Sequence, residues 1–341
     1  LRALASRKPR HTFLKSVGKR RTQKRTKMFL YKADKRLVHG AYDFIEKEGG
    51  YVVFSHFSKE QQEYLKFNDF FYVRAYFTSS VTIEAETAAT KISLFYKFFG
   101  GSSKDTFALY VNGKKIAENK IEELSEEGTL FYGMPEGKKR ITLYFPIDTE
   151  VGVKEISADE ELFPITKKPN VLFIGDSITQ GYGTFETDMT YVNVLNRTFE
   201  WEMLNQGVGG YYFDEKVLTP LKDFVPEKII VAMGTNLHSW HDKEEYVYGF
   251  FKRFGEIYGD IPALFVTPLW RNDKDCDEKG MRETYEEICS ETKKLPKAAV
   301  IDGFGLVPHD SKYFYDGLHP NAVGAEIYGT NLAKKIKVMG F

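Results

Sequence analysis

From about residue 50 to 158 the chain sets short aromatic and β-branched runs between polar stretches. Examples are Tyr51-Val-Val-Phe-Ser-His-Phe57, Phe71-Tyr-Val-Arg-Ala-Tyr-Phe77 and Lys91-Ile-Ser-Leu-Phe-Tyr96. Runs of this length and composition predict strands. Asn112-Gly113, between Phe107-Ala-Leu-Tyr-Val111 and Lys114-Lys-Ile-Ala117, predicts a tight hairpin, because both residues accept the positive φ that such a turn requires. With no strong helical period among them, these runs predict an all-β, jelly-roll-like sandwich over residues 29–164.

After Pro164 and the polar link Thr166-Lys-Lys-Pro-Asn170, apolar runs of strand length alternate with longer stretches of helical period. That alternation predicts a parallel sheet covered by helices. The expected strands are Val171–Ile174, Glu202–Asn205, Lys228–Met233, Ala263–Thr267 and Ala299–Asp302. Helices lie between them, among them an amphipathic one over Asp242–Arg253, and a last helix follows Pro320. Residues 165–341 thus read as a flavodoxin-like three-layer α/β/α domain with a parallel five-stranded sheet, and the expected fold class of the whole chain is α/β with a preceding β-sandwich. In such sheets ligands bind beyond the carboxyl ends of the strands.

Composition changes this picture little. A chain of 341 residues with 42 % hydrophobic and 28 % charged residues suits two globular domains, and the 15 % of aromatics can fill cores or stack on sugar rings. No apolar run is long enough to cross a bilayer, so no membrane association is expected. Cys276 and Cys289 are too few for a disulfide framework, and the cytoplasm is the expected compartment. Charge is more informative. Residues 1–27 hold 11 of the 48 basic residues and no acidic one, which leaves 37 basic against 48 acidic residues and a net −11 for the remainder. Residues 1–28 are expected to be a disordered basic extension, with RNA binding or a transit function as the alternatives. The folded domains, being net negative, are not expected to bind nucleic acid.

The chemistry sits at strand ends. The first parallel run leads into Gly175-Asp176-Ser177-Ile178-Thr179-Gln180-Gly181-Tyr182-Gly183, which places a serine hydroxyl where it can face a cleft. A serine needs a base, and usually an acid to orient that base. Asp316-Gly317-Leu318-His319-Pro320 offers both, since a tight turn lets Asp316 hold one ring nitrogen and leaves the other for Ser177. Oxyanion donors are offered by Asn205-Gln206-Gly207-Val208-Gly209-Gly210 and by Met233-Gly234-Thr235-Asn236, beyond the second and third strands. Gly175-x-Ser177-x-Thr179 is not Gly-x-Ser-x-Gly, so the nucleophile elbow of α/β-hydrolases is not implied. His238 and His241 lack a third ligand of clear spacing, and no metal site is expected. His238, Trp240 and Trp270 are candidates for lining the cleft.

Taken together, Gly175-Asp-Ser177, Gly210, Gly234-Thr-Asn236 and Asp316-Gly-Leu-His319 resemble, in order, the four blocks of the SGNH, or GDSL-type, hydrolases. The resemblance covers about residues 170–341. It implies Ser177 as nucleophile, His319 and Asp316 as its partners, and an oxyanion hole made of the Ser177 and Gly210 N–H groups with the Asn236 amide. Gly210 is preferred to Gly207 and Gly209 by counting from Asn205. The sequence departs from the family at Leu237, where an acidic residue often follows the asparagine. The β-sandwich ahead of this block is similar to that of two-domain carbohydrate acetyl esterases. This implies a small acyl group on a sugar hydroxyl as substrate and no cofactor. A lysophospholipase or thioesterase is the alternative enzyme, and a carbohydrate-binding protein with an idle hydrolase domain the alternative outside enzymes.

Overall fold

In Asn170–Gly175 successive side chains point to opposite faces of a pleated strand, and both faces are apolar. Val171 and Phe173 enter one core with Tyr191, Leu195, Tyr328 and Leu332, while Leu172 and Ile174 enter another with Phe250, Phe251, Phe254 and Ile288. That double burial makes this the inner part of a layered sheet. The computed structural model describes residues 28–102 and 104–341, so the basic segment 1–27 lies outside the described residues.

The parallel sheet has five strands in the order Glu202–Gly207, Asn170–Gly175, Lys228–Ala232, Ala263–Val266 and Ala298–Ile301. Every neighbouring pair is parallel. Helices Tyr191–Phe199 and Ala322–Met339 cover one face, and Lys243–Tyr258 and Glu278–Thr292 the other. Each strand begins and ends within a few residues of its sequence expectation.

Ahead of it, two six-stranded antiparallel sheets face each other across a core that contains Phe54, Ile83, Leu94, Phe107, Leu143 and Ile156. The hairpin at Asn112-Gly113 is present, with φ of 49° and 76° at its two central residues, and it joins Thr106–Val111 to Lys114–Lys120.

One element corrects the sequence reading. The expected strand Phe71–Phe77 is instead the helix Asp69–Arg74, preceded by a second short helix, Lys59–Leu65. Asn68 caps the first, its side chain accepting from the Phe70 N–H at 2.9 Å, and Ser58 with Gln61 forms a capping box on the second. These caps compete with the strand preference of the aromatics, and tertiary packing decides. Phe57, Leu65, Phe71 and Ala75 are buried in the core of the parallel sheet rather than between the antiparallel ones. Phe71 meets Tyr211 edge to face at 5.0 Å.

Polar contacts tie the two units further. Glu84 receives Lys167 at 2.7 Å and Arg140 at 2.9 Å, and Arg140 reaches on to Glu200 at 2.8 Å. His39 meets Glu202 at 2.5 Å and Tyr110 meets Asp188 at 2.6 Å.

Candidate active site

At the end of strand Asn170–Gly175 the chain turns into the one-turn helix Ser177–Gln180. Asp176 caps this helix, accepting the Ile178 N–H at 3.0 Å. The turn is tight enough that a Cβ on Gly175 would fall 2.0 Å from Thr179 Oγ1. Ser177 therefore opens the helix beyond the carboxyl end of a central strand. Burial pushes the Asp176 carboxyl up to about 7, against the opposing pull of its backbone hydrogen bonds and Arg271.

The second part comes from the loop before the last helix. Phe314 and Pro320 pair as an antiparallel bridge, and Tyr315 N–H donates to His319 O at 2.8 Å, closing a narrow loop around Asp316. Asp316 Oδ1 accepts the N–H groups of Leu318 at 3.0 Å and His319 at 2.8 Å, while its Oδ2 meets His319 Nδ1 at 2.8 Å. His319 Nε2 lies 2.7 Å from Ser177 Oγ. Burial works to raise the Asp316 carboxyl, but the His319 backbone N–H and ring outweigh it and hold it below the usual range. Gly183 lets the neighbouring loop come this close, since a Cβ there would sit 2.7 Å from His319 Cβ. Serine, imidazole and carboxylate thus form one hydrogen-bonded line, a geometry able to take the proton from an attacking hydroxyl.

The glycine turn after Glu202–Gly207 supplies donors. Gly207 N–H is engaged by Asn205 Oδ1 at 2.9 Å and Gly209 N–H by Gln180 Oε1 at 2.6 Å. Among the described residues, the Gly210 N–H has no acceptor within the protein. Gly210 holds φ 75°, a conformation glycine adopts without strain. Asn236 donates one amide hydrogen to Tyr211 O at 2.8 Å and keeps the other. Its turn is held by Arg271, which donates to Thr235 O at 3.0 Å and forks onto Asp273 at 2.6 Å through both Nε and Nη2.

Several residues around this line went unassigned in the sequence. Gln180, whose amide oxygen holds Gly209, donates its amide hydrogen to Asp148, and Ser79 donates to the Gln180 carbonyl. Asp148 and Ser79 both come from the antiparallel unit. Phe70 and Arg74, on helix Asp69–Arg74, lie over the glycine turn: a Cβ on Gly210 would be 3.2 Å from the Phe70 ring, and one on Gly209 2.9 Å from Arg74 Nε. On the other side Tyr182 meets the His319 ring edge to face at 4.8 Å, and Tyr315 meets Phe185 at 4.9 Å. Tyr182 and Tyr315 had a local signal, standing inside or directly before the serine and histidine blocks. Phe70, Arg74 and Asp148 had none, because only the packing of the two units brings them here.

The three aromatic or histidine candidates each have partners of their own. His238 is buried with Nδ1 2.8 Å from Thr235 O and Nε2 2.9 Å from Asp275 O. Both ring nitrogens stand against backbone carbonyl oxygens, which ties the ring to the turn at Thr235 and to Asp275. Trp240 packs with Tyr212 and Tyr246 at 5.1 and 5.3 Å. Trp270 stacks on His309 at 5.2 Å and lines a cavity of about 410 Å³ with Arg271, Met281 and Tyr285, whose lining includes none of Ser177, His319 and Asp316. Among the described residues one acidic group, Glu118, Glu186 and Asp188, is close enough to hold a cation, and the Lys115 ammonium stands within 2.9 to 3.7 Å of all three.

Known proteins bear on this arrangement. No curated protein matches the chain at the sequence level. Among solved structures, the salicylyl-acyltransferase SsfX3 from a tetracycline biosynthetic pathway is similar with TM-score 0.77 at 17 % identity, covering 92 % of this chain and 98 % of its own. An acetyl xylan esterase from the rumen bacterium Butyrivibrio proteoclasticus gives 0.61 at 13 % identity over the same shares, 92 % and 98 %. A family two carbohydrate esterase from Clostridium thermocellum, in complex with cellohexaose, gives 0.59 at 17 % identity over 76 % of this chain and 93 % of its own. At these identities the likeness is one of fold, and it spans both units. Residues 173–327 match the GDSL-like lipase/acylhydrolase family, and this segment holds Ser177, Gly210, Asn236, Asp316 and His319 together. The chain therefore carries a GDSL-like lipase/acylhydrolase domain behind a pair of antiparallel sheets.

Proposed function

We propose that the protein is a serine esterase that removes small acyl groups, acetyl foremost, from carbohydrate hydroxyls. The observation that carries this reading is the continuous line from Ser177 Oγ to His319 Nε2 at 2.7 Å and from His319 Nδ1 to Asp316 Oδ2 at 2.8 Å. His319 takes the Ser177 proton as the oxygen attacks the ester carbonyl, and Asp316 holds the resulting imidazolium. The oxyanion is received by the Ser177 and Gly210 N–H groups and the free hydrogen of the Asn236 amide. His319 then gives that proton to the sugar oxygen as the ester C–O bond breaks, freeing the hydroxyl, and water releases the acyl group from Ser177 by the same path in reverse. No cofactor enters these steps.

A small acyl group is favoured by Phe70, which closes over the Gly210 side of the cleft. A sugar is favoured by the Tyr182, Phe185 and Tyr315 wall beside His319, since pyranose faces stack on aromatic rings. The fold likeness to carbohydrate esterases points the same way.

The test is hydrolysis of 4-nitrophenyl acetate, butyrate and octanoate by the protein and its Ser177→Ala variant, with acetate release from acetylated xylo- and manno-oligosaccharides. Serine-dependent acetate release from sugars is the expected result. A preference for octanoate would replace the sugar by a lipid or thioester substrate. Equal rates in Ser177→Ala would overturn the mechanism.

A further inference from the structure

Arg74 has a surrounding that the esterase reading leaves unused. It is half-buried, its guanidinium sits over the Phe70 ring with Cζ 3.5 Å from the centroid, and Nη1 donates to Phe70 O at 2.9 Å. Among the described residues no carboxylate stands within ion-pair distance of it, and Nε and Nη2 have no acceptor. Those two atoms form the edge of a guanidinium that grips a planar anion with two parallel hydrogen bonds.

The position of this edge matters. Arg74 Nε borders the Gly209–Gly210 turn, and the Arg74 charge is felt by Asp148 and Tyr182, residues that also flank His319. Asp148 is turned toward Gln180 and is buried, so it offsets the Arg74 charge without saturating its donors. A second cation stands at the opposite rim. Lys104 Nζ donates to the Tyr315 hydroxyl at 3.3 Å and lies 5.4 Å from the Phe185 ring centroid, also with no acidic partner among the described residues. Two cations without a hydrogen-bonded carboxylate thus stand on either side of the Ser177–His319 line, in a chain whose residues beyond 27 are net −11. Desolvating a guanidinium against an aromatic ring costs free energy, which an arriving anion offsets.

We infer that the cleft takes an acylated sugar bearing a carboxylate, a uronic acid residue in chemical class, with Arg74 receiving the carboxylate through Nε and Nη2. The inference rests on the esterase reading for its reaction but not for its binding. The pyranose lies along Tyr182 and Tyr315, and Lys104 attracts the anion at the rim. Arg74 is a specificity-determining residue here and takes no part in the proton transfers.

The test separates binding from turnover. Titration calorimetry on full-length Ser177→Ala protein compares trigalacturonate with the neutral xylotriose. The expected result is roughly 10- to 100-fold tighter binding of the uronide, from two charge-assisted hydrogen bonds, weakening as salt is added. Adding Arg74→Met removes that preference, and Arg74→Lys restores a fraction of it, because an ammonium brings charge without the fork. Thermal melts of each variant establish that it folds. Equal binding of the two sugars, or a uronide preference that survives Arg74→Met, overturns the inference. Turnover is then read as the ratio of acetate release from acetylated oligogalacturonide and from acetylated xylo-oligosaccharide. Uronide binding that needs Arg74, without any serine-dependent acetate release, would sink the esterase reading alone.

Discussion

At the residue scale the proposed catalytic line depends on Asp316 staying ionised as the solution becomes acid. Asp316 accepts two backbone N–H groups besides the His319 ring, and its carboxyl lies below the usual carboxylate range. It therefore stays ionised below the usual carboxylate range and keeps its hold on the ring, while an imidazolium cannot accept the Ser177 proton. The rate of 4-nitrophenyl acetate hydrolysis should fall along a single limb toward acid, with unit slope in log kcat/KM against pH. A limb of slope two would mean that Asp316 titrates alongside His319. Asp316→Asn should cost roughly 10²- to 10⁴-fold in kcat by releasing the ring from its working tautomer. In the sequence, the Asp316-to-His319 spacing was sufficient to expect this contact, because a turn of four residues is closed by local hydrogen bonds alone. The surroundings of His238 were less legible for a related reason. A histidine beside a cleft residue looks the same in sequence whether its nitrogens face solvent or the carbonyls of Thr235 and Asp275.

At the scale of elements, the proposed oxyanion turn is set by a chain of contacts that crosses from one unit to the other. Asp148 receives the Gln180 amide, Gln180 Oε1 holds Gly209 N–H, and the next N–H in the chain is that of Gly210. Gln180→Met keeps volume but drops both bonds, so the turn loosens. The expected outcome is a fall of roughly 10- to 100-fold in kcat with KM changed much less, measured with 4-nitrophenyl acetate, because misplaced donors act on the transition state. An unchanged kcat would show that the turn needs no such support. The helix Asp69–Arg74 belongs to this scale as well. Its pattern of aromatics looks strand-like in isolation, and only the cap at Asn68 and the burial of Phe71 against Tyr211 turn it into a helix. Phe71→Ala should cost about 3–5 kcal/mol in chemical denaturation, the range for removing a buried phenylalanine.

At the scale of the whole molecule, the two units are joined by a buried charge cluster. Burial alone would raise the Glu84 carboxyl, but Lys167, His39 and Arg140 bring it from 4.5 down to about 2. A carboxylate whose folded value is depressed stabilises the fold fully above its unfolded value, and that stability is lost as pH falls from 4.5 toward about 2. The shift corresponds to ~3 kcal/mol. Glu84→Gln should destabilise the protein at neutral pH by ~3–5 kcal/mol, since it leaves Lys167 buried without its partner. The same change should flatten the loss of stability across that acid window. Urea denaturation of both proteins at neutral pH and at pH near the lower bound checks this, and a mutant with the wild-type pH dependence would refute the assignment.

The sequence by itself determined the five parallel strands, the order of the layers and the blocks that carry Ser177, Asn236, Asp316 and His319. These follow from hydrophobic period and from turns whose partners lie within a few residues, and such interactions are written locally in the chain. The tertiary structure decided which glycine N–H remains free, since that depends on Gln180 and Asn205 occupying the other two. It also decided that helix Asp69–Arg74 and Asp148 leave the antiparallel unit to wall and brace the cleft. Contacts between residues more than a hundred positions apart, such as Ser79 with Gln180, arise from the docking of two separately patterned units. No local period records how such surfaces meet.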